Sequence, residues 1–368
     1  MFDLTLTKEQ ILSPLLTVAG VVDKKQSLAI LSNILLRFSN NQLSLTATDL
    51  EMEITARVNC DADQAPCQIT VPAKKFVDII RSLDDDSCPN ISLKSGTVII
   101  KSGRSQFKLA TLPADDFPSS ETESNEVEFL ISKASLTHLL QSTHFAMSQH
   151  DVRVFLNGLL IELDAQTITS VATDGHRMAI CKLPYDLTFS HQRFLLPKRG
   201  VQEMLRLLQN VNDEQVSIAA GRTHFKLSTN EYTFQSRLID ARFPPYAKAI
   251  PRNQDKFILI DRDMLKRALS RIAILAHEKS KAVMLQMQCG ALTLIANNQE
   301  QEEAMETLEA HTEGNEIKIG INASYLLDVL NFVNEGLIRL SMSTTDSSIL
   351  VESLQDECYQ YIIMPMKL

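Results

Sequence analysis

Ala47-Thr48-Asp49 returns as Ala172-Thr173-Asp174, 125 residues further on, and more loosely as Ala296-Asn297-Asn298 after another 124. Val71-Pro72-Ala73-Lys74-Lys75 returns as Leu196-Pro197-Lys198-Arg199 and, degraded, as Gly320-Ile321-Asn322-Ala323. Phe117-Pro118 closes the first copy and Phe243-Pro244 the second, 126 residues apart. A period of this length is one whole domain per copy, well above the roughly 20 to 50 residues of a solenoid repeat. It divides the chain into domains 1–125, 126–253 and 254–368. The acidic, Ser-rich Ser119 to Asn125 and the stretch Pro251 to Asp255 serve as linkers. Three copies of one domain point to a curved, symmetric object.

Each copy reads as strand, helix, several strands, a second helix and further strands. Phe2 to Leu6 alternates like a strand with one buried face, and Thr7 with Gln10 forms a capping box for the helix that follows. Ile11, Leu12, Leu15, Leu16 and Ala19 give that helix an apolar stripe. The second copy opens with Glu126 to Ile131 and the third with Phe257 to Ile260, capped by Asp261. The pattern predicts helices over 8–19, 72–83, 133–146, 197–209, 262–274 and 323–334. Pro72 and Pro197 are expected in first turns, where proline is tolerated, and Asn322 is expected to cap the last helix. The fold class is therefore α+β, with antiparallel sheets carrying two helices per domain on one face.

The net charge of −9 argues against nucleic acid only until its distribution is examined. The six predicted helices hold twelve basic and five acidic residues, a balance of +7 that leaves −16 on the remainder. The last helix has no basic residue. A positive helical face on a negative protein suits backbone contact with nucleic acid, without sequence choice. Lys198 and Arg199 are lining candidates on this ground. The solvated surface of an ordinary protein is the plainer reading of any one such helix.

With 44% hydrophobic residues, 11 Gly and 12 Pro, the chain is globular and can bury several cores. No apolar run approaches the roughly 20 residues of a membrane span, and the start has no signal-peptide character. Six scattered Cys read as free thiols, so a cytoplasmic location is expected. No nucleotide-binding Gly pattern, zinc motif or nucleophile elbow is present. Asp174-Gly175-His176-Arg177 places an acid beside a histidine, but no nucleophile accompanies them, so catalysis, metal and cofactor are not expected.

Six segments now come together: Ala47 to Glu53, Val71 to Phe76, Thr111 to Pro118, Val171 to Arg177, Tyr325 to Leu330 and Met364 to Leu368. In this order and spacing they resemble the bacterial β sliding clamps, the processivity subunits of DNA polymerase III. The resemblance implies three clamp domains per chain and a head-to-tail ring homodimer with helices lining the hole. Its partners would be encircled double-stranded DNA, the DNA polymerase III alpha subunit, the clamp loader and other proteins carrying a clamp-binding motif. No membrane is involved. A protein-interaction scaffold built from the same repeats, without DNA, is the alternative reading.

The resemblance also carries residues. It implies a peptide pocket at Leu156, Thr173, Gly175, His176, Arg177, Met178, Pro244, Ile362, Met364, Pro365 and Met366, with Asn322 and Tyr325 bordering a second subsite. Lys248 and Ala249 stand where relatives often have Arg and Val, and Asp346 replaces an apolar residue. DNA contacts fall on Lys25, Lys74 and His150, with Val154 and Phe155 where relatives often carry two tyrosines. The dimer contact would set Phe107 and Leu109 against Ile274 and Leu275, with Lys75 facing Glu300, Glu303 and Glu306.

Overall fold

What the repeat preserves is a corner hydrogen-bonded through its own side chains. The computed structural model describes residues 3–22, 28–60, 65–94, 96–118, 124–186, 191–252, 254–333 and 336–367. In it, the Asp49 carboxylate accepts the N–H groups of Glu51 (3.0 Å) and Met52 (2.7 Å). Thr48 Oγ1 accepts from the Leu50 N–H and donates to the Met52 carbonyl. Thr173 and Asp174 repeat all four bonds with Gly175, His176 and Arg177. In the third copy Asn298 Oδ1 accepts from Glu300 and Glu302. An amide replaces the carboxylate and the turn survives, which is why the third match is looser in sequence than in structure.

Six α-helices form among the described residues: α1 (Lys8–Ala19), α2 (Ala73–Ser82), α3 (Lys133–Gln141), α4 (Lys198–Asn210), α5 (Arg262–Ile272) and α6 (Ala323–Phe332). Thr7 and Gln10 close the capping box of α1, Asp261 caps α5 and Asn322 caps α6. Three expectations need correction. Pro72 and Pro197 stand just ahead of α2 and α4 and not in their first turns: Pro72 is itself the N-cap, and Pro197 ends a strand. The helix expected over 133–146 stops at Gln141. There the Ser142 and Thr143 hydroxyls bond back to the His138 and Leu139 carbonyls, and a 3-10 turn takes over at His144–Ala146. The helix expected to reach 274 likewise ends at Ile272 and tightens into a 3-10 turn, Ala273–Leu275.

The chain packs as two compact units, Met1–Ala134 with Arg199–Leu238, and Ser135–Lys198 with Ile239–Leu368. The first unit holds an eight-stranded antiparallel sheet ordered Cys67–Pro72, Asn33–Ser39, Gln42–Thr48, Met52–Asn59, Tyr232–Arg237, His224–Ser228, Gln215–Ala220 and Val127–Ser132. It also holds a four-stranded sheet, Asp3–Thr5, Asn90–Lys94, Thr97–Ser102 and Ser105–Ala110. The second unit holds a nine-stranded sheet whose consecutive members include Gln192–Pro197, Gly158–Asp164, Thr167–Thr173, Arg177–Pro184, Tyr359–Ile363 and Ile349–Ser353. Its four-stranded sheet runs Glu303–Glu309, Ala291–Asn297, Ala282–Gln288 and Ile317–Asn322.

Both large sheets are sewn from two repeats. Met52–Asn59 pairs with Tyr232–Arg237 in the first, and Arg177–Pro184 with Tyr359–Ile363 in the second. Each four-stranded sheet therefore ends on an open strand of its own repeat. Helices pair over the sheets, α1 with α2 and α5 with α6. Ile11, Leu15 and Val18 of α1 are fully buried, as are Phe76 and Ile80 of α2. A side chain of that size contributes roughly 1.5–3 kcal/mol when removed from water.

Candidate functional site

The strands Gly158–Asp164 and Thr167–Thr173 are buried on both faces, and an apolar cluster gathers around Leu160 and Val171. Register gathers it. Leu160 lies opposite Val171 and Leu195, Val171 opposite Ile180, and Met178 opposite Ile362, which in turn faces Leu350. With Phe243 these residues make one buried cluster, and Phe155, Ile239, Ala241, Tyr246 and Ile250 pack against it. Of the expected pocket residues, Met178 and Ile362 belong to this floor and Pro244 follows Phe243 directly.

The corner at Thr173-Asp174 forms one rim. Gly175 has φ +89, a left-handed conformation open to glycine, and His176 is exposed beside it. Arg177 is held from four directions. It bonds the Asp174 carboxylate at 3.1 Å, the Asp328 carboxylate on α6 and the Phe145 carbonyl at 2.8 Å. Its guanidinium also lies 4.6 Å from the Tyr325 ring centroid. Tyr325 stacks on His176 at 6.5 Å, and burial, followed by the nearby Asp174 charge, raises its phenol above the ordinary value. A fixed guanidinium and an aromatic face can orient a bound chain without consuming apolar area. Asn322, expected at this border, spends its side-chain oxygen on the α6 cap, accepting from Ser324 N–H at 2.9 Å.

The last strand ends at Ile363, and the chain runs on along the rim. Met364 N–H donates to the His176 carbonyl (2.9 Å) and Met366 N–H to the Gly320 carbonyl (2.7 Å). Met364 remains 42% exposed, while Pro365 and Met366 are half-buried. Ser348 Oγ donates to the Met364 sulfur at 3.1 Å. Leu156 is buried and tied by backbone bonds to Arg153 and Ser148. Lys248, Ala249 and Asp346 are exposed.

The expected DNA residues divide sharply. Lys74 and His150 are exposed, His150 with φ +63, and Lys25 lies outside the described residues. Val154 is exposed, whereas Phe155 turns inward onto Phe243 at 6.3 Å between centroids. Lys198 donates to the Met147 carbonyl at 3.2 Å, and burial, then Arg177, hold its amine below the ordinary lysine value. Arg199 bonds Asp49 at 2.7 Å and the Val21 carbonyl. Four further helix cations are similarly engaged: Lys8 with Asp85 and the Leu83 carbonyl, Lys133 with Val211, Arg206 with Thr17 and Glu203, and Arg271 with Glu306. With Arg262 tied to Asp263 and Lys266 half-buried, the positive balance overstates the free positive face, which among the described residues rests mainly on exposed Lys74, Lys75, Arg81 and Arg267.

At the expected dimer contact, Ile274 is 77% exposed and is no core residue. Leu275 and Phe107 are half-buried, and Leu109 is buried in its own sheet. Glu300 and Glu303 are exposed, while Glu306 is paired with Arg271 inside the unit, which lowers its acid below the ordinary value.

Three family models match in sequence order: the N-terminal, central and C-terminal domains of the DNA polymerase III beta subunit, over residues 2–121, 130–245 and 247–367. The chain belongs to the DNA polymerase III beta subunit family. Within it, the chain is 43% identical to the beta sliding clamp of Pseudomonas aeruginosa over 99% of both chains. It is 39% identical to that of Escherichia coli, again over 99% of both. A crystal structure of the beta subunit from P. aeruginosa superposes with a TM-score of 0.96 at 42% identity, covering all of both chains. A crystal structure of a sliding clamp from that organism bound to griselimycin matches at the same TM-score and identity, over 100% of this chain and 99% of that one.

Sequence reasoning missed Phe243, Leu195, Leu350, Tyr246 and Glu162 as parts of the site. The available signal was the consecutive apolar run Leu159-Leu160-Ile161, which places apolar side chains on both faces of its strand.

Proposed function

We propose that this chain is a bacterial processivity clamp: two copies close head to tail around duplex DNA and tether the replicative polymerase through a peptide seated on the apolar floor. The observation that carries the reading is that each four-stranded sheet, left unjoined to another repeat, ends on an edge strand that a second copy could pair. Two of the sheets are completed by pairing one repeat with the next, and the two four-stranded sheets are the halves left over. Ser105–Ala110 ends one of them and Glu303–Glu309 ends the other. An exposed strand edge is a template for another chain, and a heterologous contact of this kind closes a ring when its rotation permits. Exposed Ile274 and Met305 beside the second edge supply apolar area, and Lys75 on one copy facing Glu300 and Glu303 on the other supplies opposite charge. The three repeats serve as domains 1–125, 126–253 and 254–368 of such a ring.

Enclosure, and not tight contact, would keep the ring on DNA, so a sparse positive lining from Lys74, Lys25 and His150 suffices and sliding stays easy. The clamp is a tether with no chemistry of its own, acting in the cytoplasm where the chromosome is copied. The groove would take the anchoring side chains of a linear peptide from the polymerase alpha subunit, the clamp loader or another carrier of the motif. Exposed, flexible Met364 suits a site with several partners.

The test is retention after loading. A clamp stays on a closed circle of DNA and runs off the same DNA once it is cut; equal retention on both would leave the scaffold reading standing. Ile274→Ala with Leu275→Ala should convert dimer to monomer in sedimentation while thermal unfolding of the chain persists. A double variant still dimeric at nanomolar concentration would remove the edge assignment.

A further inference from the structure

The loop carrying Ile239 to Ile250 packs against the apolar cluster, and the nine-stranded sheet contains a candidate anchor for it at the cluster's edge. Glu162 is only 5% exposed, and a carboxylate so deeply buried is costly unless its oxygens are occupied. Here both are. Arg193 Nε donates to Oε1 at 2.6 Å with a second guanidinium nitrogen on the same oxygen, and the Tyr246 hydroxyl donates to Oε2. His191 stands 3.4 Å from Oε1. Glu162 and Arg193 are cross-strand partners two residues along from the Leu160–Leu195 pair, and so lie on the floor's own face. The Tyr246 ring packs against the floor and meets Phe243 edge-on at 6.5 Å. Its phenol is held above the ordinary value by burial first and then by the Glu162 carboxylate, so it stays a hydrogen donor through the neutral range. The other end of the loop is tied by the Ile239 N–H to the Leu195 carbonyl at 2.8 Å.

We propose that the Glu162–Tyr246 bond is a latch that holds the Phe243–Pro244 wall in place and so sets how tightly the groove grips a peptide. Glu162 and Tyr246 are positioning residues, acting through Phe243 without touching the ligand. The inference rests on the groove being the peptide site. It has independent support in the first unit, where register puts Arg37 and Gln68 in the places of Glu162 and Arg193. Gln68 there turns to Asp115 at 3.0 Å. The carboxylate and its arginine stand beside the apolar floor and are replaced where the face is polar.

The experiment is fluorescence anisotropy with a labelled peptide copied from the clamp-binding segment of a polymerase alpha subunit, using full-length dimer. Tyr246→Phe deletes only the hydroxyl and should weaken binding about fivefold, the worth of one net hydrogen bond, mainly through faster release. Glu162→Gln keeps an acceptor for the phenol and should lose less. The double variant should be no worse than Tyr246→Phe alone, since both act on one bond. A melting temperature for each variant separates a loosened wall from a damaged fold: a lower melting point with unchanged affinity would overturn the latch. So would Tyr246→Phe binding within twofold of the parent. If the parent itself failed to bind the peptide, the groove assignment would fall, and the latch with it.

Discussion

The two large sheets present the same outer face in two chemistries. Strand register matches them position by position at the repeat interval. Where the nine-stranded sheet has Leu160, Val171, Met178, Ile180 and Leu195, the eight-stranded sheet has Leu35, Thr46, Glu53, Thr55 and Thr70. Ile362 and Leu350 are answered by Gln235 and Lys226, and Phe243 by Phe117. The polar face satisfies itself: Thr46 bonds Thr55 at 2.9 Å, Arg57 bonds Thr233, and Thr70 donates to the Leu112 carbonyl at 2.7 Å. Cavities of about 330 and 580 Å³ open over it, sharing Glu53 and Pro118 in their linings. Backbone, corner and proline wall are all repeated, yet only one face offers apolar anchorage. A hollow of the right shape is therefore insufficient; the free energy of seating an apolar side chain comes from the area removed from water.

The sharpest way to break the comparison is to exchange its chemistry. Met178→Glu should place an unpaired carboxylate among Leu160, Val171 and Ile362, costing about 3 kcal/mol or more and ending peptide binding. The mirror change, Glu53→Met, should move stability by less than about 1 kcal/mol, because Glu53 is only half-buried and borders both cavities. Urea unfolding of both variants, read beside peptide anisotropy, decides it; equal costs would mean the two faces are not distinct environments.

Removing Met364 to Leu368 should weaken peptide binding roughly 100-fold, the loss of one or two apolar contacts, while sedimentation still reports a dimer. A truncated dimer that gripped the peptide normally would show that this tail only completes a sheet.

A third contrast is titratable. At the repeat interval His144 answers Ala19, and it packs edge-on against Phe332 at 5.6 Å. Burial, above all, lowers its pKa below the ordinary histidine value of 6.5. The unfolded chain therefore binds this proton more readily than the folded one. Stability from this site is complete above about pH 6.5 and declines as pH falls from there towards the folded pKa. Thermal melting from pH 7.5 to 5.5 should fall less steeply for His144→Ala than for the parent. Parallel curves would sink the assignment.

The smallest expected effect lies in the paired corners. Gly175→Ala forces a Cβ into φ +89 and brings it 3.2 Å from Arg153 Nη2, and should cost about 1 kcal/mol. Leu50 already bears that conformation at φ +77. Leu50→Gly should shift stability by less than about 0.5 kcal/mol, relief of strain being offset by the freer unfolded chain. Denaturant midpoints of the two variants would separate a glycine-requiring turn from a tolerant one.

Much of the fold was legible because much of it is local. The capping box at Thr7 and Gln10, the caps at Asp261 and Asn322, and the Asp49, Asp174 and Asn298 corners all close over two to four residues. The apolar stripes of α1 and α2 follow a 3.6-residue period whatever lies opposite. The floor of the groove was only half legible. Met178 and Ile362 came from resemblance, while Phe155 was expected at DNA and instead faces Phe243.

By itself, then, the sequence determined the threefold repeat, the six helices and the caps of three of them, and the corners that mark each copy, since each depends on neighbours a few bonds away. Only the tertiary structure decided which cations are spent inside the fold. Lys8 finds the Leu83 carbonyl 75 residues on, Arg199 finds Asp49 at 150, and Arg206 finds Thr17 at 189. It alone decided that Glu162 meets Tyr246 across 84 residues, and that Ser105–Ala110 and Glu303–Glu309 end their sheets. Such partners are set by strand register and by how repeats are sewn together, and no local pattern encodes either.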